Sequence, residues 1–197
     1  MNHNAQRRVF MLLSCIAYAV IPIYTLLFVK GTNWFTSNLS VIGSWPNRRT
    51  SFFFLGTIIG LYYYTILKKL LANLPHRIWE SCILHTALFL LLLAVTIPYL
   101  PDSVPLQAFL HVVFAFTASL LLGLCLYLVL WRLSSISEAA HKILRPYRIS
   151  MVAITFISAM LLLIAGIISS ALEIFFIITT TILVQRLYVL SSCIFSN

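Results

Sequence analysis

Residues 105–131 read PLQAFLHVVFAFTASLLLGLCLYLVLW, with no Asp, Glu, Lys or Arg among them. A helix of that length rises ~40 Å at 1.5 Å per residue, more than the ~30 Å of a bilayer's hydrocarbon core. Five further apolar stretches lie at about 9–29, 52–67, 79–99, 149–170 and 171–193. All but 52–67 reach the ~20 residues that a spanning helix needs. That stretch continues through Lys68 and Lys69, whose long stems reach towards headgroups. The pattern predicts an all-α, polytopic integral membrane protein, with residues 1–197 forming a single domain of six transmembrane helices in one bundle.

Composition points the same way. Hydrophobic residues make up 61% and charged residues 9% of the chain, against ~25% charged in a typical soluble domain. Of the thirteen Lys and Arg, ten (Arg7, Arg8, Lys68, Lys69, Arg77, Arg132, Lys142, Arg145, Arg148 and Arg186) fall on one side of the expected spans. Only Lys30, Arg48 and Arg49 fall on the other. By the positive-inside rule the N- and C-termini are expected in the cytoplasm, in a multi-pass protein of the plasma (cytoplasmic) membrane. The net charge of +9 is spread over helix ends rather than gathered in one patch. It therefore suits anionic headgroups better than nucleic acid, and no nucleic-acid partner is expected.

The N-terminal region imitates two cleavable signals. Arg7-Arg8 followed by an apolar run to Ala17-Tyr18-Ala19 looks secretory, and Leu12-Leu13-Ser14-Cys15 looks like a lipoprotein box. Either cut would leave an apolar core at or below the usual lower bound of ~7 residues, whereas the run continues to Val29. An uncleaved first helix is expected, kinked at Pro22, which lacks the N–H its turn requires.

The connection 30–51, KGTNWFTSNLSVIGSWPNRRTS, is the long outer segment. Its apolar Leu39, Val41 and Ile42 need a surface to lie on, so a lid folded over the outer mouth is expected. Asn38-Leu39-Ser40 also fits the N-glycosylation pattern, which matters only in a eukaryotic secretory pathway. On the cytoplasmic side, residues 133–147 show helical spacing of Ile136, Ala139, Ala140, Ile143 and Leu144 behind a Ser135/Glu138 capping box. A short interfacial helix is expected there, ending at Pro146.

Cys15, Cys82, Cys125 and Cys193 all lie inside apolar stretches without a paired spacing, which suits packing better than redox or zinc chemistry. His85 lies six residues past Trp79 and His111 six past Pro105, on opposite sides of the membrane. Their depths differ by ~12 Å, so they cannot share one metal. No metal or other cofactor is expected. Ionisable groups within spans default to functional candidates. The coherent set lies at the outer face: His111, Gln107, Asp102 and Glu173, beneath a lid carrying Asn38, Ser40 and Arg49. Gln107 and His111 are four apart and share a helix face. A carboxylate could orient the imidazole, and a hydroxyl such as Ser40 could meet it. The plainer alternative is a polar plug at the mouth, in which Glu173 pairs with an arginine and His111 hydrogen-bonds a neighbouring carbonyl. Gly56 and Gly60 match a small-xxx-small pattern for close helix packing. Tyr62, Tyr63 and Tyr64 suit an interfacial aromatic belt.

The segment Trp34-Phe35-Thr36-Ser37-Asn38-Leu39-Ser40-Val41-Ile42-Gly43, followed by Arg48-Arg49 and a second helix, resembles a pattern in small bacterial membrane families of unknown function. These families are loosely similar in plan to the DRAM and Sfk membrane proteins. The resemblance covers the topology and about ten residues. It implies six helices with cytoplasmic termini, and it implies no reaction.

Three readings of function follow. The first is a non-enzymatic membrane protein that binds a lipid, a small amphiphile or a membrane protein partner through the outer half of the bundle. The second is a small-solute transport component acting as a substrate-binding membrane subunit. The third is a lipid-modifying enzyme using His111.

Overall fold

In the computed structural model, residues 3–195 are described, with side chains from 7 to 191. The regular elements are α1 (His3–Cys15), a π-turn (Ile16–Val20), α2 (Ile21–Phe28), α3 (Leu39–Ser44) and α4 (Arg49–Ala72). They continue with α5 (Ile78–Thr96), α6 (Pro105–Ser134), α7 (Glu138–Ala165) and α8 (Ser170–Phe195). Six helical spans are long and apolar enough to cross a membrane: Arg7–Phe28, α4, α5, α6, α7 and Ser170–Ser191. Only helices and closed barrels satisfy every backbone group in a medium without water, which suits such apolar runs to helix.

Successive long helices run antiparallel, through short turns except at the segment 30–51 between the first span and α4. α5 packs along both α4 and α6, α7 bridges α6 and α8, and α8 returns to α4 and the first span. One end of the bundle carries the segment 30–51 with α3 and is called here the capped end. At Gly56, a Cβ would overlap the Val95 side chain, and at Gly60 it would touch Leu91 Cδ2 at 3.5 Å. The expected close approach is therefore made between α4 and α5.

Pro22 does not simply kink the first span. Ile21 N–H donates to Ile16 O, one residue beyond the α-helical partner. The widened turn makes room for a ring that would otherwise press on the carbonyl of Tyr18. Ala17 and Ile21 face fully into the bundle there.

Two boundaries differ from expectation. The interfacial helix expected over 133–147 is not separate, because α7 runs unbroken from Glu138 through Pro146 to Ala165. Pro146 removes only the bond to the carbonyl of Lys142, a residue exposed at the polar end, where other donors are at hand. The cap is Ser137, which accepts from Ala140 N–H at 3.1 Å, while the Ser135 hydroxyl turns back to Trp131 O. α7 then ends at Gly166, whose φ of 68° closes the helix in the left-handed conformation. Cys15 and Cys82 are exposed and Cys125 is buried, and the Cys193 side chain lies outside the described residues.

Candidate functional site at the capped end

The segment 30–51 is held to the bundle mainly through helix ends. The first N–H groups of α8 have no partners within their own helix. Ser170 N–H donates to Ser37 O at 2.7 Å and Ala171 N–H to Trp34 O at 2.9 Å. In return Glu173, one turn into α8, accepts from Leu39 N–H, the first donor of α3, at 2.7 Å. Asn38 caps α3 by accepting from Val41 N–H at 2.8 Å. Two arginines take the opposite partners. Arg48 donates to Phe28 O and Lys30 O where α2 ends, and Arg49 donates to Thr96 O where α5 ends. Cations at carbonyl termini are favourable in charge as well as in hydrogen bonding.

His111 sits at the centre, only 1% exposed. Its Nδ1 lies 2.8 Å from Ile97 O and its Nε2 lies 2.7 Å from Ser40 Oγ. One imidazole thus joins α6, the exit of α5 and α3. Aromatic rings flank it. Phe28 and Phe52 are 6.0 Å apart, Phe52 and His111 6.2 Å, and His111 and Tyr99 5.9 Å. Gly43 permits this approach, since a Cβ there would fall 2.5 Å from Phe52 Cγ.

A cleft opens at each end of this aromatic row. The larger, about 610 Å³, is walled by Tyr24, Leu27 and Phe28 and rimmed by Lys30, Asn47, Arg48 and Ser51. The smaller, about 360 Å³, lies between Val41 and Ser44 of α3 and Tyr99, Leu100, Asp102 and Ser103.

Of the residues named from sequence, the structure joins His111 with Ser40, and places Glu173 and Asn38 on the backbone of the helix that carries Ser40. Arg49 stands over the end of α5. Asp102 is exposed on the wall of the smaller cleft. Gln107 is exposed although His111, one turn further on, is buried. One helical turn spans the change from the rim to the interior there, so a shared face does not give a shared environment.

Two polar assemblies were not expected. Tyr62 and Tyr63 do not form an aromatic belt; they are 2% and 6% exposed and turn into the bundle against α8. Tyr62 donates to Gln185 Oε1 at 3.2 Å, Gln185 Nε2 donates to Ser14 at 2.9 Å, and Tyr63 pairs with the Thr180 hydroxyl at 2.6 Å. The signal for this seam was Thr180, Thr181 and Gln185 in the middle of a predominantly apolar helix. At the opposite end Glu80 meets Arg132 at 2.6 Å. Arg132 also grips Pro75 O and His76 O in the α4–α5 turn, where His76 has a φ of 50°. His85 faces outward, bonded to its own helix at Ser81 O.

No family model, no curated protein and no solved structure matches this chain.

Proposed function

We propose that this chain is a multi-pass protein of the plasma membrane with both termini in the cytoplasm, and that its capped end binds a lipid or small amphiphile with an anionic headgroup. The larger cleft carries this reading. Tyr24, Leu27 and Phe28 offer an apolar wall along α2, and Lys30 and Arg48 stand above it with Asn47. That order matches an amphiphile lying along a helix, with acyl chain below and phosphate above. Arg48 uses some of its five donors on Phe28 O and Lys30 O. Its charge and remaining donors stay at the rim, fixed in place by those bonds.

The charge pattern supports the orientation. Three cations, Lys30, Arg48 and Arg49, lie at the capped end, against ten on the opposite side of the spans. In a background free of native cysteines, Thr36→Cys should react with an impermeant maleimide added outside intact cells, and Lys142→Cys should not. The reverse pattern would overturn the orientation.

Binding is tested by native mass spectrometry from nanodiscs of mixed anionic and zwitterionic phospholipid. Wild type should retain the anionic lipid. Lys30→Gln, at an exposed position, should retain about tenfold less, the factor for ~1.4 kcal/mol. Equal retention by the two proteins would remove the cleft from consideration.

A further inference from the structure

A carbonyl oxygen only accepts, so His111 Nδ1 must carry the hydrogen it shares with Ile97 O. In the neutral ring, Nε2 is then the bare nitrogen, and it points at the Ser40 hydroxyl from 2.7 Å. Ile97 is suited to the first task. It is the residue after the last turn of α5, with extended backbone (φ −77°, ψ 126°), so its carbonyl lies outside the helical ladder. Nucleophile, base and orienting acceptor thus stand in line, as activated serines require.

Ser40 is not needed as a helix cap. Asn38 and Glu173 take the first donors of α3, and among the described residues the Ser40 hydroxyl has no partner but His111. The serine is half-buried while its base is buried, an arrangement that keeps bulk water from the imidazole. The smaller cleft lies alongside, bounded by Val41, the next residue in the chain, and by Tyr99, which packs on the imidazole.

We propose that Ser40 is a nucleophile and His111 its general base, acting on the ester of an acyl lipid. The choice of a lipid rests on the reading of the capped end above, with the ester reaching Ser40 by the smaller cleft rather than lying in the larger one; the serine–histidine pair does not rest on it. In the first step Ser40 Oγ forms a bond to the acyl carbon and passes its proton to His111 Nε2. The ester C–O bond then breaks, and the departing lipid alcohol takes that proton. Water repeats the sequence on the acyl-serine. His111 removes a proton from the water, a new C–O bond forms, and the fatty acid leaves as Ser40 regains its hydrogen. Ile97 O acts as a positioning group, holding the ring so that Nε2 faces the serine.

The test is covalent labelling of the full chain in nanodiscs with a short-chain alkyl fluorophosphonate, whose P–F bond is exchanged for a P–Oγ bond. Wild type should gain one adduct, mapped to Ser40. Ser40→Ala should gain none, and Ser135→Ala, exposed at the opposite end of the bundle, should label as wild type does. His111→Gln should label about a hundredfold more slowly, the lower end of a general base's contribution. The melting midpoint reports whether that variant is folded, and the Ser40→Ala comparison carries the test if it is not. An unlabelled wild type, an adduct that survives Ser40→Ala, or an undiminished rate in folded His111→Gln would each overturn the proposal. Retained lipid without labelling overturns catalysis alone, whereas labelling without retained lipid overturns the choice of lipid and leaves the nucleophile standing.

Discussion

At the end opposite the cap, α4, α6 and α8 meet through Leu67, Leu70, Leu126, Leu130, Leu133 and Leu187, all buried. One ion pair, Glu80–Arg132, joins α5 to α6 there and secures the turn before α5. At the capped end the buried side chains are fewer and more mixed, with Phe28, Val29, Leu39, Ile42 and Ala108 around His111. Closure there comes from hydrogen bonds that run mainly between side chains and the free ends of helices. Leucine packing tolerates little movement and offers a ligand no partner. A mouth held by capping bonds can present clefts, charges and a hydroxyl while each helix end remains satisfied.

This contrast orders the expected losses. Arg132→Ala should cost most, about 3 kcal/mol, because it strands the Glu80 carboxylate, 4% exposed, without its cation. A chemical denaturation series in lipid nanodiscs reads the loss, and Glu80→Leu combined with Arg132→Met should recover most of it. Failure of that double variant to recover would mean that the carbonyls of Pro75 and His76, rather than the carboxylate, are what Arg132 serves. His111→Ala comes next, at about 2 kcal/mol for two buried hydrogen bonds and the space left behind. Hydrogen exchange should accelerate in residues 39–44 after this change and stay unaltered there in Arg132→Ala. Equal acceleration in both would erase the distinction between the ends. Asn38→Ala should be smallest, about 1 kcal/mol for a lost helix cap, with faster exchange confined to Val41 and its neighbours. A larger loss than that of His111→Ala would mean that capping outweighs the imidazole in holding α3.

How far the sequence reached differs between the ends as well. The six spans follow from hydropathy, and α4 exceeds its apolar core because Lys68 and Lys69 fold onto Tyr64 and Tyr188, at 3.0 and 3.2 Å. At the capped end, depth along a helix was enough to bring His111 and Glu173 to one level, and the apolar Leu39, Val41 and Ile42 were enough to lay Asn38 and Ser40 over them as a lid. It was not enough to assign partners. Glu173, one of two carboxylates that could orient the imidazole, instead holds a backbone N–H, and the imidazole takes a neighbouring carbonyl, as the plug alternative has it. Glu80–Arg132 was missed for a related reason. The two residues are 52 positions apart, and only the antiparallel pairing of α5 with α6 makes them neighbours. Tyr62 and Tyr63 show a different limit. Three consecutive tyrosines point in three directions around a helix, so a shared letter says nothing of a shared environment.

The exchange of caps between α3 and α8 also bears on the order of assembly. Leu39 N–H waits for Glu173, 134 residues further along the chain, and the carbonyls of Trp34 and Ser37 wait for the same helix. A ribosome at ~5–20 residues per second needs roughly 7 to 27 seconds to cover that interval. Throughout it, the segment 30–51 stands with its polar groups turned to solvent. The first connection made is thus among the last to be set, and it is set by the arrival of α8.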